Sequence, residues 1–240
     1  LMKARTVRIT AAGGPEVLQI ETHDLPEPAA GEVTIRHTAI GFNFQDIYTR
    51  SGLYPAPMPT GLGTEAAGVV EKVGPGVTDF KVGDRVCYAS GPVLGACATA
   101  RNYPVARLMK SPDFMKDEEI AAILLKGMTV EYLMQRCYPV KSGQYVLMHA
   151  AAGGVGLLAG QWGRHIGAHM IGVAGGADKV ALARQNGYEF CIDRKTEDIA
   201  ARVKEITGGA GVPVVYDSVG KDSFEASLNS LQARGYFVSF

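Results

Sequence analysis

The chain has 240 residues, 47% hydrophobic and 20% charged, and is therefore long enough to form two domains with sizeable cores. Its 24 Lys and Arg residues balance its 24 Asp and Glu residues, giving a formal net charge of +0. This balance argues against a general attraction to nucleic acid or to an anionic membrane. No apolar stretch is long enough to span a bilayer and no secretion signal is visible, so we expect a cytoplasmic protein with no nucleic-acid or membrane partner.

The first half of the chain carries short strand-like runs separated by glycine and proline turns. Residues 32–36 and 68–73 are β-rich, and residues 84–86 lead from a tight turn into another strand. A helical stretch follows at residues 117–136. We therefore expect a compact β domain over residues 1–120 and a second domain over residues 121–240.

The second half alternates strands and helices. Its predicted strands lie at residues 145–148, 170–174, 212–216 and 236–240. Its predicted helices begin after the turn at residues 149–156 and then cover residues 178–186, 196–207 and 223–231. This alternation predicts a parallel sheet with helices on both faces.

The turn at residues 149–156, HAAAGGVG, is the most informative motif. Gly153 and Gly156 fill the second and third places of the G-x-G-x-x-G dinucleotide fingerprint, while Ala151 takes the first. Glycine at these places permits a tight turn and close approach of the backbone to a pyrophosphate, and the N-terminus of the following helix favours phosphate. An ordinary glycine-rich turn is the alternative, but the surrounding strand and helix order favours a dinucleotide site.

Several segments together resemble a known family. They are GGPEVL at 13–18, NFQDIY at 43–48, RSGLY at 50–54, GLGTEAAG at 61–68, KGMTV at 126–130, HAAAGGVG at 149–156 and VVYDSVG at 214–220. These segments resemble the zeta-crystallin-like NADPH-dependent quinone oxidoreductases, zinc-independent members of the medium-chain dehydrogenase/reductase superfamily. The resemblance extends over essentially the whole chain.

The resemblance implies an α/β fold with two parts, a β-rich GroES-like catalytic domain and a Rossmann-like, doubly wound parallel sheet. In that family the chain continues into a further sheet strand and returns to the catalytic domain. We therefore expect this chain to be a truncated version that can itself be inactive, and we expect a homodimer when the fold is complete.

The resemblance also assigns candidate catalytic residues, namely Asn43, Asp46, Tyr48 and Tyr54, near the nicotinamide and the acceptor. Either tyrosine could donate a hydrogen bond to a quinone oxygen, or both could serve only as an aromatic wall. We expect Asp46 to orient a neighbour rather than to act as a base. Thr129 matches a position whose hydroxyl approaches the nicotinamide, with a helix-surface threonine as the alternative.

The expected cofactor is NADPH. No acidic residue directly ends the second strand of the dinucleotide fold at Ala174, so a 2′-phosphate would meet no carboxylate there. Lys179 and Arg194 could pair with that phosphate, or they could be solvated helix-end charges, and Asp178 could weaken the preference. The full set of expected cofactor contacts is Thr129, Ala152, Gly153, Gly154, Val155, Gly156, Gly175, Lys179, Arg194, Ser218, Val219 and Phe240. Gly175 and Gly176 could also offer backbone N–H groups.

No metal site is expected. Zinc-dependent relatives carry a cysteine within the segment 41–46 and a histidine at the position of Thr64, and this chain has neither. Glu65 remains, and we expect it to be a structural partner in a turn. A quinone suits a metal-free reductase because its ring accepts electrons readily. The alternatives are a zinc-free reductase of enoyl thioesters or α,β-unsaturated carbonyls, and a non-catalytic NADPH-binding or RNA-binding protein.

Overall fold

The computed structural model describes residues 2–89 and 93–240. The chain forms two compact units, Leu1–Leu125 and Lys126–Phe240. Within the described residues, no helix has both the length and the apolar character needed to cross a lipid bilayer.

The first unit consists mainly of two sheets. The smaller sheet contains β1 (Met2–Ile9), β2 (Gln19–Leu25) and β4 (Thr60–Gly61), in the order β2-β1-β4. The larger sheet contains β3 (Glu32–Gly41), β5 (Glu65–Val73), β6 (Arg85–Ala89), β7 (Ala100–Pro104) and β8 (Met109–Lys110), in the order β7-β3-β5-β6-β8. Its other elements are α1 (Phe44–Ser51), the start of α2 (Asp117–Glu131), and short 3₁₀ helices at Pro15–Val17 and Val105–Arg107.

Antiparallel pairing of these strands gives the first unit its own core. β5 lies between β3 and β6 and pairs antiparallel with both. Side chains from this sheet and its connections are buried together, namely Val33, Ile35, Ala66, Val70, Val86, Tyr88, Ala96, Tyr103 and Leu108. The rings of Tyr88 and Tyr103 stack at a centroid distance of 4.0 Å. The expected β-rich domain is confirmed.

The second unit contains a five-stranded parallel sheet. Its strands are β9 (Tyr145–Met148), β10 (His169–Ala174), β11 (Phe190–Asp193), β12 (Val212–Asp217) and β13 (Leu231–Ser239), in the order β11-β10-β9-β12-β13. The helices between them are α3 (Gly154–Ile166), α4 (Ala177–Gln185), α5 (Ile199–Ile206) and α6 (Phe224–Ser230). The predicted parallel sheet is confirmed.

The strand order determines where this sheet can bind a ligand. From β9 the chain moves outward on one side through β10 and β11, then crosses back to β12 on the other side of β9. The direction of winding therefore reverses beside β9. In open α/β sheets, ligands bind beyond the carboxyl ends of the strands at such a point.

Some predicted boundaries were wrong for local reasons. The helix predicted from Thr196 begins at Ile199, because Asp198 caps it by accepting the N–H of Ala201 at 2.8 Å, and the N–H of Thr196 instead bonds the carbonyl of Asp193. The last strand begins at Leu231 rather than at residue 236. The predicted helix at residues 117–136 is α-helical only to Glu131 and continues as a π-helix at Tyr132–Cys137. The short strand β11 had no sequence prediction.

Candidate functional site

The glycine turn connects β9 to α3 at the carboxyl edge of the sheet. A Cβ on Gly156 would lie 2.3 Å from the carbonyl oxygen of Ala150, so only glycine allows α3 to approach the turn this closely. Ala150 itself adopts a left-handed backbone conformation with φ of 50°, which is strained for a residue with a Cβ. The turn is therefore held in a conformation that the general chain avoids.

Ala151 occupies the first fingerprint position without obstructing the turn. Its side chain is fully buried, and its methyl group lies next to Gly172 of β10. A Cβ on Gly172 would be 2.7 Å from the Ala151 Cβ, so the absent side chain at Gly172 provides the space that the Ala151 methyl fills. The departure from the glycine fingerprint is thus accommodated by the neighbouring strand.

The start of α3 suits an anion. Gly153 is the N-cap residue and supplies no side-chain hydrogen bond to the N–H groups of the first turn. Those N–H groups and the positive end of the helix dipole favour a negatively charged ligand group. Gly154 is packed differently, since a Cβ there would lie 2.6 Å from the Lys126 Cε.

A cavity of about 440 Å³ lies at this edge of the sheet. It brings together several of the predicted cofactor residues, namely Ala152, Gly153, Gly175, Lys179, Arg194 and Val219. The sequence analysis gave no role to the other lining residues, which include His149, Ile199, Asp222 and Ser223. The cavity therefore joins the glycine turn, the end of β10 and the turn after β12 in one site.

The remaining predicted cofactor residues are not part of this lining. Val155 and Gly156 lie in the first turn of α3, and Thr129 lies on α2. Ser218 is exposed in the turn that follows β12. Phe240 is partly buried against the core of the unit, and its N–H donates to the carbonyl of Asp217 at 3.2 Å.

Basic side chains surround the end of β10. The Arg194 Nε lies 3.2 Å from the position that a Cβ on Gly175 would take, and the Lys195 Nζ lies 3.5 Å from the corresponding position on Gly176. Lys179 follows in the first turn of α4 and lines the cavity. Lys195 was missed from the sequence because its closeness to Gly176 depends on β11, which had not been predicted.

The structure corrects one expectation about this end of the site. β11 pairs with β10 so that Asp193 lies opposite Ala174, and the Asp193 Oδ1 accepts the N–H of Gly176 at 2.9 Å and of Lys195 at 3.0 Å. These backbone donors, that of Lys195 first, hold the pKa of Asp193 below its ordinary value. A carboxylate therefore lies beside the strand end, and the Gly176 N–H already has a partner inside the protein.

The predicted catalytic residues of the first unit lie on and around α1. Asn43 is its N-cap, and a capping box joins Asn43 and Asp46, in which the Asp46 Oδ2 accepts the Asn43 N–H at 2.9 Å. The rings of Tyr48 and Tyr54 are 5.3 Å apart at their centroids, and Phe44 lies 6.2 Å from Tyr48. Asn43 and Asp46 thus fix the start of the helix that presents this aromatic group.

The donor set near Asn43 does not fit a catalytic zinc ion. Glu65 is fully buried, and its two carboxylate oxygens accept hydrogen bonds from the Asn43 Nδ2 and the Leu125 N–H, both at 2.7 Å. It begins β5 rather than lying in a turn as predicted. Thr64 offers only a hydroxyl. Across residues 2–89 and 93–240, no group of three or more His, Cys, Asp or Glu side chains could hold a metal ion.

Two family models match the chain. The model described as alcohol dehydrogenase GroES-like domain matches residues 29–134, and the model described as zinc-binding dehydrogenase matches residues 154–240. These matches agree with the β-rich first unit and the parallel sheet of the second.

Individual relatives are similar over nearly the whole chain. The quinone oxidoreductase of Pseudomonas aeruginosa is 50% identical over 238 residues, which are 99% of this chain and 73% of the relative. The 2-haloacrylate reductase of a Burkholderia species is 46% identical over 95% of this chain and 70% of that protein. The crystal structure of the Escherichia coli quinone oxidoreductase complexed with NADPH superposes with a TM-score of 0.95 at 48% identity, covering 98% of this chain and 72% of that one. On these similarities, the chain belongs to the quinone oxidoreductase family.

Proposed function

We propose that this chain binds NADPH at the carboxyl edge of its parallel sheet and reduces a quinone without a metal ion. The observation that carries the proposal is the 440 Å³ cavity, which is lined by the glycine turn and also by Lys179 and Arg194. The Escherichia coli relative, whose structure is described as a complex with NADPH, supports the choice of cofactor. NADPH would supply a hydride equivalent to the acceptor.

The cavity suits both phosphate groups of this cofactor. The pyrophosphate would bind the uncapped N–H groups at the start of α3, close to Ala152 and Gly153. The 2′-phosphate would bind beyond the end of β10, where Arg194, Lys195 and Lys179 supply positive charge. The further contacts proposed are Thr129, Gly154, Val155, Gly156, Gly175, Ser218, Val219 and Phe240.

Asp193 makes the choice between NADPH and NADH testable. A carboxylate at this strand end can accept a hydrogen bond from the ribose 2′-hydroxyl of NADH, and it repels a 2′-phosphate. Backbone N–H groups bind one of its oxygens, and Arg194 and Lys195 follow it directly. We propose that the cations outweigh this one carboxylate, so the site prefers NADPH.

The aromatic group on and just after α1 supports a planar acceptor. We propose that Tyr48 and Tyr54 lie against the quinone and that at least one phenol donates a hydrogen bond to a quinone oxygen. Asn43 and Asp46 would act through the capping box, by holding α1 and its Tyr48 in position. Glu65 would support Asn43 rather than bind zinc.

We also propose that the complete protein is a homodimer, as the family resemblance implies. Light scattering coupled to gel filtration of the C-terminally completed protein would detect twice the mass of one chain if the proposal holds.

The decisive assay compares cofactors and acceptors. NADPH and NADH oxidation would be followed with 9,10-phenanthrenequinone, with 2-chloroacrylate and with an enone. We expect turnover with NADPH and the quinone, and a KM for NADH at least tenfold higher than for NADPH. Turnover of the acrylate or enone alone would instead assign an unsaturated-carbonyl reductase. No cofactor oxidation by either this chain or its C-terminally completed form would reject the proposal.

Matched variants test the phosphate site. Replacing Arg194 or Lys195 by Ala should raise the KM for NADPH about tenfold and leave the KM for NADH nearly unchanged, since about 1.4 kcal/mol of phosphate pairing is lost. Lys204→Ala, an exposed lysine on α5, is the control and should change neither value. Equal effects on both cofactors would show that these cations do not bind the 2′-phosphate.

A further inference from the structure

Three buried side chains, those of His149, Ser227 and Asp217, form a hydrogen-bonded triad that joins two of the loops lining the cavity. The His149 Nε2 lies 2.8 Å from the Ser227 Oγ, and that hydroxyl lies 2.7 Å from the Asp217 Oδ2. All three residues are at most 2% exposed. They come from the end of β9, from α6 and from the end of β12, so the triad spans three separate elements of the sheet edge.

Asp217 is the fixed centre of this arrangement. Its carboxylate accepts the N–H groups of Val219 at 2.8 Å and Gly220 at 3.1 Å, in addition to the hydroxyls of Ser223 and Ser227. Burial alone would raise the pKa of Asp217, but these donors, that of Ser227 first, lower it below its ordinary value. Asp217 is therefore an ionised acceptor at neutral pH.

The charge of Asp217 sets the direction of each hydrogen bond. The single hydroxyl proton of Ser227 points to the carboxylate, so the Ser227 oxygen must accept a hydrogen bond from the His149 Nε2–H. Burial lowers the pKa of His149, and the Asp217 carboxylate only partly opposes this effect. His149 is thus neutral with its proton on Nε2. His149 donates to Ser227, and Ser227 donates to Asp217.

The two ends of the triad belong to different segments that line the cavity. His149 begins the glycine turn and lines the cavity itself. At the other end, Asp217 holds the backbone of the turn that contains Val219 and also binds Ser223, and both of those residues line the cavity. Two side-chain hydrogen bonds therefore link these segments, in addition to the backbone bond from the His149 N–H to the Tyr216 carbonyl at 3.0 Å.

We propose that His149, Ser227 and Asp217 are positioning residues that set the separation between the glycine turn and the turn after β12, and thereby the affinity for the dinucleotide. The proposal rests on the NADPH function proposed above. Hydrogen-bonded networks in a buried, low-dielectric setting are strong when every member is satisfied, and loss of one member moves the others. A change of about 1 Å in the placement of binding groups can alter binding and catalysis by up to about 100-fold.

Ser230 provides a matched control for the loss of a hydroxyl from the triad. Ser230 is also fully buried on α6, but its hydroxyl donates to the Ala226 carbonyl within the same helix at 2.7 Å. Ser227→Ala and Ser230→Ala therefore remove the same atom from the same helix, and only the first removes the hydrogen bonds to His149 and Asp217. Both should lower the thermal midpoint, whereas a positioning role predicts a change in NADPH affinity for Ser227→Ala alone.

The binding experiment uses NADPH fluorescence with the intact protein. Ser227→Ala and His149→Ala should each raise the Kd about tenfold, and the double variant should be no worse than either single variant. His149→Gln retains a side-chain N–H that can reach Ser227, and its Kd should stay within about threefold of wild type. Heteronuclear NMR of ¹⁵N-labelled histidine should show His149 protonated on Nε2 in wild type.

The outcomes separate the two proposals. If wild-type protein binds no NADPH, the proposed function fails and the positioning role fails with it. If wild type binds NADPH but Ser227→Ala has the affinity of Ser230→Ala, only the positioning role is overturned. Fully additive losses in the double variant, His149→Gln as weak as His149→Ala, or a His149 proton on Nδ1 would each also overturn it.

Discussion

The closest backbone contact in the glycine turn gives the sharpest prediction. In Gly156→Ala, the new Cβ would lie 2.3 Å from the Ala150 oxygen and 2.7 Å from both the Ala151 Cα and carbonyl carbon. Comfortable contacts of this kind begin near about 3.5 Å. Because the obstructing atoms are backbone rather than flexible side chain, α3 and the turn must separate by about 1 Å.

The magnitude follows from two opposing effects. Alanine in a helix is favoured over glycine by about 1 kcal/mol, and forcing an extra methyl into a packed region costs about 1 to 3 kcal/mol. We therefore expect Gly156→Ala to lower the free energy of unfolding by up to about 2 kcal/mol. The displaced turn should weaken NADPH binding by about 10-fold to 100-fold.

Two other helical glycines serve as controls for the melting and fluorescence titration assays. A Cβ on Gly127 would meet nothing within 4 Å, so Gly127→Ala should stabilise the protein by about 1 kcal/mol. A Cβ on Gly163 would meet the flexible Met170 side chain, with its Sδ at 2.2 Å, and not the turn. Gly163→Ala should therefore lose stability but keep its NADPH affinity. Unchanged affinity in Gly156→Ala would refute the reasoning.

Three further predictions concern the first unit. His37 is neutral in the folded protein, since burial, opposed by its bond to the Ala98 carbonyl and reinforced by Arg101, lowers its pKa from 6.5 to about 4. As the pH falls, His37 is protonated in the unfolded chain before it is protonated in the folded protein. The contribution of His37 to the free energy of unfolding should therefore be fully present above pH 6.5, and about 2 to 3 kcal/mol should be lost as the pH drops towards 4. Urea titrations of His37→Asn should lack this dependence, while the exposed control His23→Asn should retain it. Glu65→Gln places an amide N–H₂ against a donor and should lower the free energy of unfolding by about 1 to 3 kcal/mol. Glu71→Gln on the same strand should lower it by less than about 1 kcal/mol, because its partner Arg36 is half-exposed, and equal losses would contradict the role given to Glu65. Metal analysis of the wild-type protein should find no stoichiometric zinc. Tyr48→Phe and Tyr54→Phe keep the rings, so a fall of about tenfold in kcat with little change in the quinone KM for either variant would identify the phenol donor, and two unaffected variants would leave only an aromatic wall.

Local patterns predicted most of the second unit. The glycine turn and the alternation of strands and helices both depend on spacing within short segments. The arrangement around Gly175 and Gly176 could not be predicted in the same way, because it depends on β11 placing Asp193 beside Ala174 and Lys195 beside Gly176. A four-residue strand carries too little periodicity to be recognised by itself.

The triad at the cavity could not be predicted from the sequence for a related reason. His149 and Asp217 each stood within a motif, but Ser227 is one of the two buried serines of α6 and has no distinguishing pattern. The three are separated by up to 78 residues and meet only because β9 and β12 are neighbours in the sheet. Likewise, the capping box of Asn43 and Asp46 has a sequence signature, whereas the bond from Asn43 to Glu65 does not.

The pairing of Ala151 with Gly172 changes how the dinucleotide fingerprint should be searched for. What the turn needs at its first position is unoccupied volume, and here that volume is provided by a strand some 20 residues away in sequence. The two positions therefore form one steric unit in which a methyl group can belong to either member but not to both. Searches that score positions 151 and 172 jointly should recover relatives that a strict G-x-G-x-x-G pattern discards. In such relatives, alanine and glycine should exchange places between the two positions.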